Sequence, residues 1–237
     1  MFHRPSPLVR TAGLAAVVLL AGQTASHAAV LARYEFTDGL LVSTDDDVAD
    51  LTSTASDLSD GPGFTSGNFT GGGNPAPARS VTVNLTNGAN EADAHTAGDY
   101  FLITITPAAG YQINLTSITM DFAASYNTQP RGFGIRTSVD TFGAAVGSVT
   151  EAANTGTASV FVNREVDLSG ASLQGITGPV TLRITVFDNA SVSSNSDRFD
   201  NITVNGTATL IPEPGTTTLA AVAGALALAA RRRKRIA

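Results

Sequence analysis

The strongest constraint in this chain is an every-second-residue alternation that recurs through its middle. Phe101, Ile103 and Ile105 are interleaved with Leu102, Thr104 and Thr106; Ile118, Met120 and Phe122 with Thr119 and Asp121. Leu182, Ile184 and Val186 likewise alternate with Thr181, Arg183 and Thr185. Side chains of a β-strand point to opposite faces in turn, so each run describes a strand with one apolar and one wet face. Further strands are expected at 30–36, 81–85, 131–138, 158–168 and 199–205, punctuated by turn signals such as Pro107-Ala108-Ala109-Gly110, Asn87-Gly88, Ser169-Gly170 and Gly178-Pro179. No window before residue 215 carries a helical stripe, and 25 Thr between residues 29 and 210 favour extended backbone through their β-branch. Short strands and turns over about 180 residues predict an all-β domain, an antiparallel β-sandwich of the jelly-roll kind. The irregular stretch 38–74, rich in Asp, Ser, Thr and Gly, reads as a long surface loop or two weak edge strands.

Both ends of the 237-residue chain differ from this middle. Residues 1–28 read as a secretory signal peptide: Arg4 and Arg10 supply a positive start, Leu14–Ala21 an apolar core, and Ser26-His27-Ala28 small residues before a cleavage point at Ala29. The alternative is a membrane anchor, but the apolar core falls short of the roughly 17–25 residues that spanning needs. At the other end, Ile211-Pro212-Glu213-Pro214-Gly215 precedes the uncharged run Thr216–Ala230 and the cluster Arg231-Arg232-Arg233-Lys234-Arg235. The prolines end the strand pattern. A helix over the 16 residues from Gly215 to Ala230 is about 24 Å long, slightly short of a ~30 Å hydrocarbon core. The basic cluster would stay on the cytoplasmic side. The expected organisation is therefore a signal helix at 1–28, a β-sandwich ectodomain at 29–210, and a transmembrane-like helix within 211–237.

Pro212-Glu213-Pro214, a short apolar helix and an Arg cluster, in that order over about residues 211–235, resemble the PEP-CTERM sorting signal of exported Gram-negative bacterial proteins. The resemblance implies handling by an exosortase, a membrane-embedded processing enzyme, transient inner-membrane anchoring, and a place in the cell envelope or extracellular matrix with its exopolysaccharide. Pro212, Glu213, Pro214 and Gly215 would be the sorting motif, and Arg231, Arg232, Arg233, Lys234 and Arg235 the stop signal. An anchor that is never cut is the alternative. The segments Tyr34-Glu35-Phe36-Thr37, Gly110-Tyr111, Leu115-Thr116-Ser117-Ile118, Gly178–Arg183 and Arg198–Ile202 also resemble the jelly-roll ectodomains that accompany such tails.

Composition excludes several chemistries. Without Cys there is no disulfide framework, thiolate nucleophile or Cys-containing zinc site. Removal of the leader leaves His95 as the one imidazole, in a polar run with Glu91 and Asp93 that reads as a solvated loop. A Ser-His-Asp triad lacks its motif context. Two carboxylates suffice for a glycosidase, yet the domain has no Trp and four Tyr to stack sugars, so catalysis ranks behind binding. Asp45-Asp46-Asp47 with Asp50 lacks the Gly and Glu of a calcium loop. On strict alternation Asp200 shares parity with Ile202 and Val204, the core side, where an acid needs a partner. Arg198 is the structural candidate. The jelly-roll resemblance instead implies a structural Ca²⁺ held partly by Glu35 and Asp200.

The first reading is thus a non-enzymatic, sorted envelope or matrix protein. The alternatives are a carbohydrate-binding module that meets exopolysaccharide through Tyr34, Tyr100, Tyr111 or Tyr126, and, behind it, a carboxylate glycoside hydrolase. Charge sharpens this picture. The whole chain carries −6, but residues 29–210 hold 7 Arg, no Lys and 19 acids, or −12. Such a domain is no nucleic-acid binder.

Overall fold

The computed structural model describes residues 27–36, 41–43, 52–63, 65–71, 79–84, 89–123, 130–152, 160–188, 197–211 and 224. Among these residues twelve strands and one short α-helix follow in chain order: β1 (His27–Tyr34), β2 (Ser53–Ala55), β3 (Ser59–Asp60), β4 (Thr65–Gly71), β5 (Arg79–Asn84), α1 (Glu91–Ala97), β6 (Tyr100–Pro107), β7 (Tyr111–Ala123), β8 (Arg131–Thr137), β9 (Gly147–Glu151), β10 (Val162–Asp167), β11 (Val180–Asp188) and β12 (Asp197–Leu210). They form two six-stranded sheets. Sheet A runs β10-β7-β12-β5-β4, with β1 also on β12; sheet B runs β2-β6-β11-β8-β9, with β3 also on β6. The pairings are antiparallel.

The alternation read from the sequence is what closes the two sheets on each other. Phe101, Ile103 and Ile105 of β6 and Leu182, Ile184 and Val186 of β11 are fully buried from sheet B. Ile118 and Met120 of β7 meet them from sheet A, with Phe122 almost as deep. At one end of this core, four phenylalanines interlock across the layers. Phe199 lies 5.0 Å from Phe122 in its own sheet and 5.7 and 6.1 Å from Phe101 and Phe133 opposite, and Phe122 meets Phe133 edge-on at 5.6 Å. Edge and tilted arrangements suit the ring quadrupoles, adding about 0.5–1.5 kcal/mol per pair beyond area burial. A buried ion pair, Arg131 Nη1 to Asp197 Oδ1 at 2.6 Å, ties β8 to β12 from one sheet to the other.

Three departures from the sequence reading have local causes. First, residues 38–74 supply three short strands, β2, β3 and β4; the acids Asp45 to Asp50 lie outside the described residues. Second, residues 91–97 form a helix, not a loop. Asn90 caps it, its Oδ1 accepting from the Asp93 N–H at 3.0 Å, and Gly98 ends it at φ 87, where a Cβ would be strained. Third, strict parity fails in β12. Asp200 pairs with Asp121 but Thr203 pairs with Thr119, so the strand bulges between them, with Asn201 at φ 50. Phe199 and Ile202 both face the core, and Asp200 falls on the opposite face beside Asp121.

At the ends, β12 stops at Leu210, and the Ile211 N–H donates to the Gly110 carbonyl at 2.7 Å. β1 begins at His27, whose partner is Ala208, two residues ahead of the expected cleavage point. No helix among the described residues is long and apolar enough to cross a membrane. The expected signal helix, the motif Pro212 to Gly215 and the cluster Arg231 to Arg235 lie outside the described residues.

The bulge residue gives a direct test of this geometry. Its left-handed backbone is tolerated by Asn or Gly and costs a β-branched residue about 1–2 kcal/mol. Its Nδ2 also donates to Asp121 Oδ2 at 2.7 Å, a bond worth roughly 1 kcal/mol. Urea denaturation of the full chain is expected to show Asn201→Val destabilised by about 2–3 kcal/mol and Asn201→Gly by about 1 kcal/mol. Equal losses would mean that backbone conformation is not what selects Asn here.

Candidate functional site

The outer face of sheet B gathers the chain's most organised group of chemistry-bearing side chains. Across its strands, Leu102, Arg183 and Arg136 share one row, and Thr104 and Thr181 the next. The two threonine hydroxyls are 2.8 Å apart, and the Thr181 N–H donates to Ser138 Oγ at 2.9 Å. Helix α1 covers the neighbouring rows. It can lie so close because β8 carries Gly134: a Cβ there would collide with the Cγ of Glu91.

Glu91 and Arg136 form the joint of this face. Arg136 Nε and Nη2 donate to Glu91 Oε1 and Oε2, each at 2.7 Å, the two-pronged geometry in which guanidinium and carboxylate match. The remaining nitrogen, Nη1, donates to the carbonyls of Phe142 and Gly143, each at 2.9 Å. The Glu91 hydrogen bonds hold the Arg136 guanidinium above its ordinary pKa, so this cation is permanent and fully engaged. Through it the start of α1 is locked to the loop after β8.

That loop is strained. Thr141 and Phe142 stand at φ 59 and φ 61, consecutive left-handed conformations without a glycine, each costing on the order of 1–2 kcal/mol. The turn is pinned by the Phe142 N–H to the Thr137 carbonyl at 2.8 Å and the Thr141 N–H to the Ser138 carbonyl at 3.2 Å. Its consequence is the position of the Phe142 ring, whose centroid lies 3.7 Å from Arg183 Cζ. The Tyr100 ring centroid is 4.4 Å from the same atom. Beyond Tyr100 stands the His95 ring at 6.0 Å. Four planar groups, His95, Tyr100, Arg183 and Phe142, thus line up on one face, with Arg183 and Phe142 half-exposed. Arg183 makes no ion pair among the described residues, and its Nε is buried without a hydrogen-bond partner.

The imidazole in this line is not a solvated loop histidine. His95 is half-buried on α1, and its Nδ1 is buried with no hydrogen-bond partner. Burial holds its pKa below the ordinary value, the Arg136 and Arg183 charges push it the same way, and Glu91 pulls against them.

The residues expected from sequence are dispersed. Tyr34 is a correction: it is fully buried in the core and its hydroxyl donates to the Ser56 carbonyl at 2.5 Å, so no sugar reaches it. Tyr100 belongs to the line of rings, though only 8% exposed; Tyr111 is half-exposed at the start of β7 in the other sheet, and Tyr126 lies outside the described residues. Glu35 pairs with Arg33 at 2.6 Å. Asp200, turned away from the core by the bulge, accepts from the Asn201 N–H at 2.9 Å, and Arg198 makes no ion pair with it. Among the described residues no group of three or more His, Cys, Asp or Glu is placed to hold a metal ion. The carboxylates that do pair, Asp121 and Asp200, are structural: Asn163 and Asn201 occupy both oxygens of Asp121, and Asp200 is fully buried. The sequence marks Arg183 only as an outward residue of its strand and does not single out Arg136 or Phe142. The Gly132-Phe133-Gly134 spacing, which clears the outer face for a covering element, is the one available signal.

No family model and no curated protein matches this chain. Solved structures do resemble it in strand arrangement. The xylan-binding CBM22-1 domain of Paenibacillus barcinonensis Xyn10C is 12% identical over 80% of this chain and 99% of that domain, at a TM-score of 0.42. The CBM27-1 of Caldicellulosiruptor saccharolyticus, solved with mannohexaose, is 10% identical over 75% and 96%, at 0.40. The module CBM6cm-2 of Cellvibrio mixtus lichenase 5A, solved with cellotriose, is 9% identical over 74% and 97%, at 0.36.

Because the fold favours neutral His95, acid weakens it. The unfolded imidazole takes its proton near its ordinary value and the folded one only lower, so stability falls as pH drops through 6.5. Thermal melts of the full chain between about pH 7.5 and about pH 5.5 should show a fall in Tm that His95→Asn makes shallower. A variant that loses as much Tm as the parent would place the acid sensitivity elsewhere.

Proposed function

We propose that this chain is an exported, non-catalytic polysaccharide-binding protein, and that the outer face of sheet B is where it meets its polymer. The observation that carries this reading is the clamp of Phe142, Arg183 and Tyr100. A strained turn is held in place to lay an aromatic ring against a guanidinium on a rigid sheet, where both stay in reach of solvent. The half-exposed Phe142 ring offers the C–H face of a sugar an apolar surface, while the guanidinium N–H groups and the adjacent Thr104 and Thr181 hydroxyls meet its oxygens. Arg183 and Tyr100 are held by strands, which position side chains more precisely than loops do, and loop-borne Phe142 is held by the hydrogen bonds of its turn.

The topology supports a jelly roll in particular. Strand order β1-β12-β7-β10 in one layer and β6-β11-β8-β9 in the other is the arrangement in which an eight-strand double Greek key folds over. The remaining short strands decorate its edges. We further infer that the chain is delivered by its ends, with residues 1–28 as a leader and the Pro212-Glu213-Pro214 tail as a PEP-CTERM-like exosortase signal. What supports the second boundary is that β12 ends at Leu210, leaving the prolines just past the last strand.

Two measurements test this. In calorimetric titration with soluble plant-type and bacterial polysaccharides, Phe142→Ala should weaken binding roughly tenfold while leaving the melting temperature of the sandwich nearly unchanged. An unaltered affinity would remove the clamp from the reading. For delivery, intact mass of the protein recovered from the envelope of an exosortase-bearing host should lack residues 1–28 and 216–237. A mass that retains 216–237 rules out processing.

A further inference from the structure

We propose that the polymer taken up on this face is polyanionic, and that Arg183 receives one of its carboxylates, as in a chain of uronic acids. The inference rests on the polysaccharide-binding reading and names its ligand class.

The first observation is the treatment of arginines in this domain. Six of them have described side chains, and four carry a carboxylate: Arg33 with Glu35, Arg131 with Asp197, Arg136 with Glu91 and Arg164 with Glu151. With 19 acids against 7 Arg between residues 29 and 210, acidic partners are plentiful. Arg183 has none among the described residues, although it is half-buried in the middle of a strand. Arg198 also lacks an ion pair, but among the described residues no aromatic ring is stacked on it.

The second observation is how Arg183 is held. Its guanidinium carbon lies over two rings, at 4.4 Å from the Tyr100 centroid and 3.7 Å from that of Phe142. Contact with two rings restrains the guanidinium and strips part of its weak hydration, leaving its terminal N–H groups to meet a planar carboxylate. A neutral sugar would leave this partly desolvated charge uncompensated, which is costly. A uronate compensates it.

The third observation concerns the acid that is nearby. Glu91 could neutralise Arg183, but both of its oxygens are taken by Arg136, which the carbonyls of Phe142 and Gly143 hold in turn. The neighbouring His95 is kept neutral by burial, and Asp140 hydrogen-bonds the Ala144 N–H at 3.2 Å. Among the described residues Arg183 is therefore a cation without a direct carboxylate partner, on a domain whose overall charge would repel a polyanion. Binding should be specific to this spot and not a general electrostatic attraction.

The test is calorimetry on the full chain with three probes of about six sugars: oligogalacturonate, the same oligomer fully methyl-esterified, and xylohexaose. Oligogalacturonate should bind at least about tenfold more tightly than its ester, as a charged hydrogen bond requires. Arg183→Gln should erase that difference, and Arg183→Lys should restore part of it. Equal affinity of the unaltered chain for acid and ester overturns the carboxylate assignment and leaves polysaccharide binding standing. Failure of all three probes, together with the broader polysaccharide set above, overturns both. Because the acid-against-ester comparison uses the unaltered chain, it decides the matter even if a variant does not fold.

Discussion

The interlocking of Phe101, Phe122, Phe133 and Phe199 is the contact on which the rest of this molecule depends. The rings come from four strands, β6, β7, β8 and β12, two in each sheet, and centroids 5.0 to 6.1 Å apart leave no room for a strand to slip. A one-residue slip would turn a ring to solvent and put Asp121 or Ala123, a glycine of β8, or Arg198 or Asp200 in its place, since the strand period is two. Fixing β8 by Phe133 also fixes Gly134 and Arg136 on its other face. Fixing β6 and β11 by Phe101 and Ile184 sets Tyr100 and Arg183 on theirs. The strand-borne part of the outer face is thus dictated from inside: Tyr100, Arg136 and Arg183 are each the pleat neighbour of a core residue.

This dependence explains which parts of the fold are legible in the sequence. Where strands run without interruption, as in Phe101 to Ile105 and Leu182 to Val186, alternation alone assigns both faces, because it reports burial on one side directly. It fails at Asn201. A bulge inserts a residue and reverses the parity of everything beyond it, and its cause is a backbone angle and a hydrogen bond to Asp121 on a strand 80 positions away. Strict alternation accordingly puts Asp200 in the core, whereas it lies on the other face of the sheet beside Asp121. Helix α1 is hidden for a related reason. Seven residues give barely two turns, too few for an apolar stripe, and its stability comes from the Asn90 cap and from docking over Gly134.

The candidate site shows the same limit from the side of function. Tyr34, Tyr100 and Tyr111 stand out in the sequence because aromatic residues bind sugars, but residue type does not say which face a ring occupies. Tyr34 is paired with Ile202 and points inward with it. Phe142 does not stand out, since nothing local distinguishes a loop Phe from a core one. Its role follows from Arg136, which reaches back 45 positions to Glu91 and forward six and seven to the carbonyls of Phe142 and Gly143. Sequence shows neither the reach nor the strained backbone that results.

One division of labour links these features. Arg136 carries four hydrogen bonds and so occupies the nearest acid, while Arg183, one strand away in the same row, makes no ion pair among the described residues. Two arginines of identical chemistry are thereby separated into a structural cation and an available one. The separation is stable because it is geometric. Glu91 cannot turn to Arg183 without giving up both prongs of its fork and releasing the turn that positions Phe142, which would dissolve the clamp that makes Arg183 worth reaching. A strongly acidic domain can in this way keep an oriented positive charge open. What sets the chemistry of the face is therefore the pairing of Glu91 with the other arginine.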